Sequence, residues 1–114
     1  MALNEQKQER PRIVALGEVL WDRFPDGSRL GGAPANFAVA AASLGAEVCL
    51  VSRVGSDPDG AEALRVLAEK GVDVGFVQQD DRDPTGAVEV RLVGGDPEYE
   101  ILAPVAWDAI HWEE

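Results

Sequence analysis

Apolar positions along the chain follow two patterns, and the pattern changes once. Arg12 to Leu20 (RIVALGEVL) and Glu47 to Val54 (EVCLVSRV) are short, nearly continuous apolar runs rich in β-branched residues. Such runs predict strands buried on both faces of a parallel sheet. Between them, Ala33 to Leu44 (APANFAVAAASL) is dense in alanine, with Pro34 where a first helical turn tolerates it and Gly45 as a stop. A helix is predicted there, lined by residues small enough to lie close to a sheet. A second helix follows Gly55: Ser56 or Asp57 can cap it, Pro58 suits its first turn, and Ala61, Leu64, Leu67 and Ala68 form the expected apolar stripe before Gly71. Val72 to Val77 predicts a third short strand, and Asp80 to Asp83 a solvated loop. From Gly86 the period becomes two, with Val88, Val90 and Leu92 alternating with Glu89, Arg91 and Val93. Gly94-Gly95-Asp96-Pro97 then turns the chain before Tyr99 and Ile101 alternate with Glu98, Glu100 and Leu102. This is an amphipathic antiparallel hairpin whose Glu98 and Glu100 form a solvated face rather than an acid and base pair.

Strands that alternate with helices predict an α/β domain with right-handed crossovers, and the hairpin predicts a flap beside its main sheet. Asp22 to Arg29 contains Pro25 and Asp26-Gly27 and is expected to form a loop or short hairpin. At 114 residues, without internal repeat or low-complexity linker, the chain is expected to be one domain with residues 1–11 as a frayed lead.

Composition excludes several classes. With 46% hydrophobic and 27% charged residues the chain has a globular composition. Ten Lys and Arg against 21 Asp and Glu give a net charge of −11 and a pI near 4.4, which repels phosphate backbones and anionic lipid. Nucleic acid is therefore not expected as a partner, and any bound nucleotide would have to be held by backbone amides or a helix N-terminus. No run approaches the ~20 apolar residues of a membrane span, and Met1 to Arg12 is polar, so no membrane partner and a cytoplasmic location are expected. The single cysteine, Cys49, lies in an apolar run and is expected to be a small buried hydrophobe. Neither G-x-x-x-x-G-K-[ST] nor G-x-G-x-x-G occurs, the lone His111 has no nucleophile elbow to serve, and one Cys with one His is no zinc set.

What remains is a constellation at the first crossover. Asp22 follows the first predicted strand, at the carboxyl end where open α/β sheets bind ligands. Its carboxylate can accept two hydrogen bonds from a polyol. Gly31-Gly32 leaves room for a ligand near the main chain, and Asn36, one turn into the helix, offers donors and an acceptor. The set suits a hydroxyl-rich ligand such as a sugar. Each member also has an ordinary structural reading: a turn or cap for Asp22, a plain loop for the glycines, a surface helix residue for Asn36. Arg53 is expected in a loop near the sheet's end, Asp57 as a cap, and Trp107 and Trp112 as packing residues.

The residues also carry a resemblance. Gly17-Glu18-Val19-Leu20-Trp21-Asp22-Arg23-Phe24-Pro25-Asp26-Gly27 and Leu30-Gly31-Gly32-Ala33-Pro34-Ala35-Asn36-Phe37-Ala38 are followed in order by Ser52-Arg53-Val54-Gly55-Ser56-Asp57, Gly60, Pro84-Thr85-Gly86, Pro97-Glu98-Tyr99-Glu100-Ile101 and Val105-Ala106-Trp107-Asp108. Over about residues 13–110 the chain resembles the N-terminal region of the ribokinase-like (PfkB-type) carbohydrate kinases, above all the bacterial fructokinases. The resemblance implies part of a three-layer α/β fold with parallel core strands and a small β-hairpin lid. It implies transfer of the ATP γ-phosphoryl to a sugar hydroxyl with Mg2+, with Asp22, Gly31, Gly32 and Asn36 contacting the sugar and the glycine pair acting as lid hinge. In that family the base is an Asp in a Gly-Ala-Gly-Asp segment at a helix N-terminus, with the ATP site beyond it, and no such segment occurs in these 114 residues. The expectation is one incomplete domain, residues 1–114, holding the sugar site and lid but neither catalytic residue nor ATP and Mg2+ site, and inactive alone. Fructose is the expected sugar, and a C-terminal kinase portion or a second copy meeting through the lid the expected partner. The alternative is a non-catalytic sugar-binding or lid-mediated interaction module, or a truncated remnant.

Overall fold

Two four-stranded sheets organise the chain in the computed structural model, which describes residues 9–112. The main sheet holds β1 (Arg12–Leu16), β4 (Glu47–Gly55), β5 (Val72–Asp73) and β6 (Val77–Asp80). The lid sheet holds β2 (Leu20–Phe24), β3 (Gly27–Gly31), β7 (Gly86–Val93) and β8 (Asp96–Ile101) in the order β3-β2-β7-β8. Helices α1 (Ala33–Ser43) and α2 (Pro58–Glu69) make the crossovers, and a short 3-10 turn spans Ala106–Ala109.

In the main sheet all pairings are parallel: β1 matches Arg12–Leu16 to Glu47–Val51, β5 matches Val72 to Val48, and β6 matches Val77–Asp80 to Ser52–Gly55. The chain steps from β1 to β4 to β5 in one direction. Right-handed crossovers then place both helices on the same face. Ala35, Ala38 and Ala41 of α1 and Ala63 and Leu67 of α2 accordingly share one core with Ala15, Val48, Leu50 and Val54. Alanine at each buried α1 position lets that helix lie close to the strands.

The opposite face is open, which corrects the expectation of strands buried on both sides. Val14 and Leu16 are 69% and 65% exposed, and Val14, Cys49, Val51 and Phe76 line a hollow of about 630 Å³. Cys49 is therefore half-buried rather than enclosed. Desolvation still pushes its thiol pKa up, and the Asp73 charge adds to this.

Three predicted elements divide or shift. The run Arg12 to Leu20 is not one strand: at Gly17 φ is +140°, a conformation L side chains avoid, and the chain leaves the main sheet for β2. A β-carbon there would also come within 2.7 Å of Pro34 Cγ. Val72 to Val77 splits because Asp73 Oδ1 accepts the Gly75 N–H at 2.8 Å, a local bond that competes with the ladder. The α2 stripe is rotated: Gly60, Ala63 and Leu67 are buried, while Ala61 and Ala68 face solvent.

Asp22 to Arg29 forms the β2–β3 hairpin, antiparallel with Asp22 opposite Arg29. β7 runs parallel to β2 with Val88 beside Asp22, and β8 closes the lid by a two-residue turn in which Gly94 and Gly95 have φ of +59° and +90°. Positive φ at both positions is what a twisted hairpin's tight turn requires. The alternation holds, but β8 is exposed along its whole length, with Tyr99 and Ile101 two-thirds exposed. Trp112 is 88% exposed, not packed. Of the predicted frayed lead, residues 1–8 lie outside the described residues. Arg10 and Pro11 are tied down: Arg10 Nε donates to Gly45 O at 2.9 Å, and Glu47 N to Pro11 O at 2.8 Å.

Candidate functional site

The predicted site residues meet where the lid sheet joins α1. Asp22 lies in the middle of β2, between Arg29 of β3 and Val88 of β7. This corrects its predicted place at the end of the first main-sheet strand, because the step through Gly17 to Val19 carries the chain into the lid first. Gly31, the last residue of β3, abuts the carboxylate: a β-carbon there would stand 2.5 Å from Asp22 Oδ2. Gly32 follows with φ +99° as the N-cap of α1, and a β-carbon there would meet the Glu18 carbonyl oxygen at 2.5 Å. Gly32 has no side chain to cap the helix. Glu18 supplies the function from 15 residues away, its Oε1 accepting the Ala33 N–H at 3.3 Å.

Asn36 joins this group through its backbone, donating N–H to Gly32 O at 2.9 Å. Its side chain is exposed and borders a separate hollow of about 280 Å³ with Leu30, Val39 and Lys70. The structure thus brings Asp22, Gly31 and Gly32 together and sets Asn36 one turn further on. Glu18 and Arg29 also stand at this joint. Both sit beside predicted residues in sequence, but only the chain reversal at Gly17 and the hairpin register place them at the site.

A second cluster surrounds the first turn of α2. Asp57 caps the helix as predicted, Oδ1 accepting the Gly60 N–H at 2.7 Å. The same carboxylate accepts the Thr85 hydroxyl at 2.6 Å and the Thr85 N–H at 2.9 Å, while Thr85 Oγ1 accepts the Gly55 N–H at 2.9 Å. Desolvation would raise the Asp57 pKa, yet the hydrogen bonds from Thr85 and Gly60 and the Arg23 charge outweigh it and hold the carboxyl below its ordinary value. Two residues on, Asp59 accepts the Trp21 indole N–H on its carbonyl at 2.9 Å and Arg23 Nη2 on its carboxylate at 2.7 Å.

In the acidic stretch at 80–83, Asp81 and Arg82 are exposed in an irregular segment as expected, but Asp80 is not solvated. Asp80 is buried, pairs with Arg53 Nε at 2.8 Å, and accepts the N–H groups of Arg82 and Asp83, both at 2.8 Å. These backbone bonds, with the Arg53 guanidinium, hold its pKa far below the ordinary carboxylate range. Arg53 lies on β4, not in a loop. Trp107 packs as expected, its indole filling the space a β-carbon at Gly86 would need.

Among the described residues, no group of three or more His, Cys, Asp or Glu could hold a metal. Arg23 and Arg53, the arginines nearest the two clusters, are already paired with Asp59 and Asp80. No described helix is long and apolar enough to cross a membrane.

Comparison with known proteins decides the ancestry. The model of the pfkB family carbohydrate kinases matches residues 25–108. The chain belongs to that family. Among pfkB relatives, a sugar kinase of Pyrococcus horikoshii is 36% identical over 88 residues, covering 73% of this chain and 28% of that protein. The Escherichia coli fructokinase is 42% identical over 86 residues, 71% of this chain and 28% of the relative. Among solved structures, the fructokinase of Vibrio cholerae in its apo form superposes with a TM-score of 0.81 at 32% identity, over 87% of this chain and 36% of that one. It has also been solved with fructose, ADP and a calcium ion bound, with a TM-score of 0.74 at 30% identity, over 86% of this chain and 34% of that one. The main sheet and lid described above are thus the mixed α/β fold of the pfkB fructokinases. The chain spans less than a third of the length of these curated pfkB relatives.

Proposed function

We propose that this chain provides the sugar-binding portion and the lid of a cytoplasmic, ATP-dependent fructokinase. Asp22 accepts hydrogen bonds from two sugar hydroxyls, and Gly31 and Gly32 let the sugar approach the main chain and form the lid's hinge, while Asn36 supports the joint through its backbone bond to Gly32. The observation that carries the reading is the Asp22 carboxylate lying against Gly31 at the joint between lid and α1, in a chain of the pfkB family. A carboxylate fixed on a strand beside a glycine that leaves room for a ligand is a ready acceptor for a polyol. Lid closure would exclude the water that competes with the sugar for a phosphoryl group.

No residue among 1–114 is assigned as the base, and in this reading the groups that act on ATP and Mg2+ come from a further kinase segment. Such transfer rests on positioning and charge stabilisation around the phosphoryl group. Two assays test the reading on the 114-residue chain: calorimetric titration with fructose, and coupled ADP release with fructose, ATP and magnesium. Fructose binding without ADP release is the expected pair. ADP release from homogeneous protein would overturn the assignment of no base, and a folded chain that binds no sugar would overturn the role of Asp22.

A further inference from the structure

The two sheets touch little through their backbones. β2, β3, β7 and β8 pair among themselves, and Trp21 and Leu30 pack against the main core. Among the described residues, the polar side-chain bonds that tie the lid strands to the rest of the chain converge on one place. The first turn of α2 carries two acidic residues, Asp57 and Asp59, and each holds a different lid strand.

Asp57 holds the entrance to β7. Both of its oxygens are engaged by Thr85, which is itself 3% exposed and bonded to Gly55 at the end of β4. The fit is close: β-carbons at Gly55 and Gly60 would run into Asp57, Thr85 and one another's surroundings. Asp59 holds β2, through Trp21 and Arg23 on one face of that strand. This contact differs in kind. The side chains of Arg23 and Asp59 are 41% and 50% exposed, and Arg23 Nε is buried without a hydrogen-bond partner among the described residues. One attachment is enclosed and fully bonded, while the other is half in water and incomplete.

We infer that the first turn of α2 is the seat of the lid, with Asp57–Thr85 as its fixed pivot and Asp59 with Trp21 and Arg23 as a releasable clasp. Between the two clasped residues, on the opposite face of β2, stands Asp22. Asp59 is accordingly a positioning residue for Asp22: it fixes the strand on both sides of the carboxylate without approaching the sugar site. The clasp is independent of the sugar reading, and only its effect on fructose affinity rests on that reading.

Amide hydrogen exchange of the full chain tests the clasp with no sugar present. In Asp59→Asn, the β2 and β7 amides are expected to exchange about 2- to 5-fold faster, the yield of a half-exposed ion pair, while β4 amides keep their protection. Trp21→Phe, which removes the indole donor, is expected to act on the same amides by a similar factor. Asp59→Glu, which keeps the charge, restores protection. Raising salt from 0.05 to 0.5 M, as the probe condition, speeds β2 exchange in the wild type and not in Asp59→Asn. Unchanged lid exchange in both variants, or equal acceleration in β4, overturns the proposal, as does a wild-type chain with no protected β4 amides. Fructose titration of Asp59→Asn then separates the two claims. Weaker binding supports positioning of Asp22, unchanged binding with a loosened lid overturns that role alone, and no binding even by the wild type rejects the sugar reading while the exchange result stands.

Discussion

At the scale of the residue, the site turns on two adjacent glycines that are small for different reasons. Gly31 has no positive φ, so an L side chain suits its backbone, and its smallness serves only the space beside Asp22 Oδ2. Gly32 has φ +99° and faces the rigid Glu18 carbonyl. Gly31→Ala is therefore expected to keep the fold within about 1 kcal/mol, since a flexible carboxylate can yield, while displacing Asp22 and weakening fructose binding roughly 10-fold or more. Gly32→Ala is expected to cost about 1–3 kcal/mol of stability through strain and overpacking. Urea unfolding and calorimetry on both variants separate the two roles, and equal losses of stability would contradict the distinction. That Asp22, Gly31 and Gly32 stand near one another was legible in the sequence, because a carboxylate and a glycine pair flank one predicted crossover. What Asp22 touches was not legible, since contact with Gly31 follows from hairpin register, and Asn36's outward side chain follows from the rotation of α1.

Elements were legible where their ends are chemically marked. Pro34 and Gly45 bracket α1, and Asp57, Pro58 and Gly71 bracket α2, within a residue or two of the observed bounds. Strand breaks at Gly17 and at Asp73–Gly75 were hidden, because an apolar run looks the same whether it continues in one sheet or crosses to another. The α2 stripe was displaced because the first turn is fixed by Thr85 and Gly55, contacts that helical periodicity cannot register. That anchoring carries a pH dependence. Asp57 is held below its ordinary value in the folded chain, so its contribution is fully present above an unfolded Asp value of about 3.9 and is lost as pH falls through the lower folded value. Asp80 acts in the same sense, with its carboxylate held by backbone N–H groups and Arg53. Stability is expected to fall as pH drops from about 4. Asp57→Ala is expected to cost about 2 kcal/mol near neutral pH, at the high end for a cap because Thr85 loses its partner too, and to flatten this acid limb. Thermal unfolding across pH 2–7, on wild type and variant, is the check; parallel curves would assign the acid loss to other carboxylates.

At the scale of the whole molecule, the right-handed crossovers that place α1 and α2 together also leave the other face of the main sheet bare. Val14, Leu16 and Phe76 are all more than 60% exposed on or beside that face, and Tyr99 and Ile101 on β8 add a second apolar area on the lid. Patches of this kind drive association, whereas a net charge of −11 opposes it. The two effects respond differently to salt. Screening weakens repulsion between like-charged chains over a Debye length of roughly 10 Å at 0.1 M, but leaves apolar burial intact, so added salt should strengthen self-association. Sedimentation velocity from 0.05 to 0.5 M sodium chloride is expected to show a rising weight-average mass for the 114-residue chain. Val14→Thr with Leu16→Thr, which keeps β-propensity while removing apolar surface from β1, is expected to reduce both that rise and the binding of a hydrophobic dye. A wild-type chain that stays monomeric and dye-free at every salt concentration would show that the open face is masked in solution. Association that weakens with salt would instead identify ion pairs, not the bare sheet, as its cause.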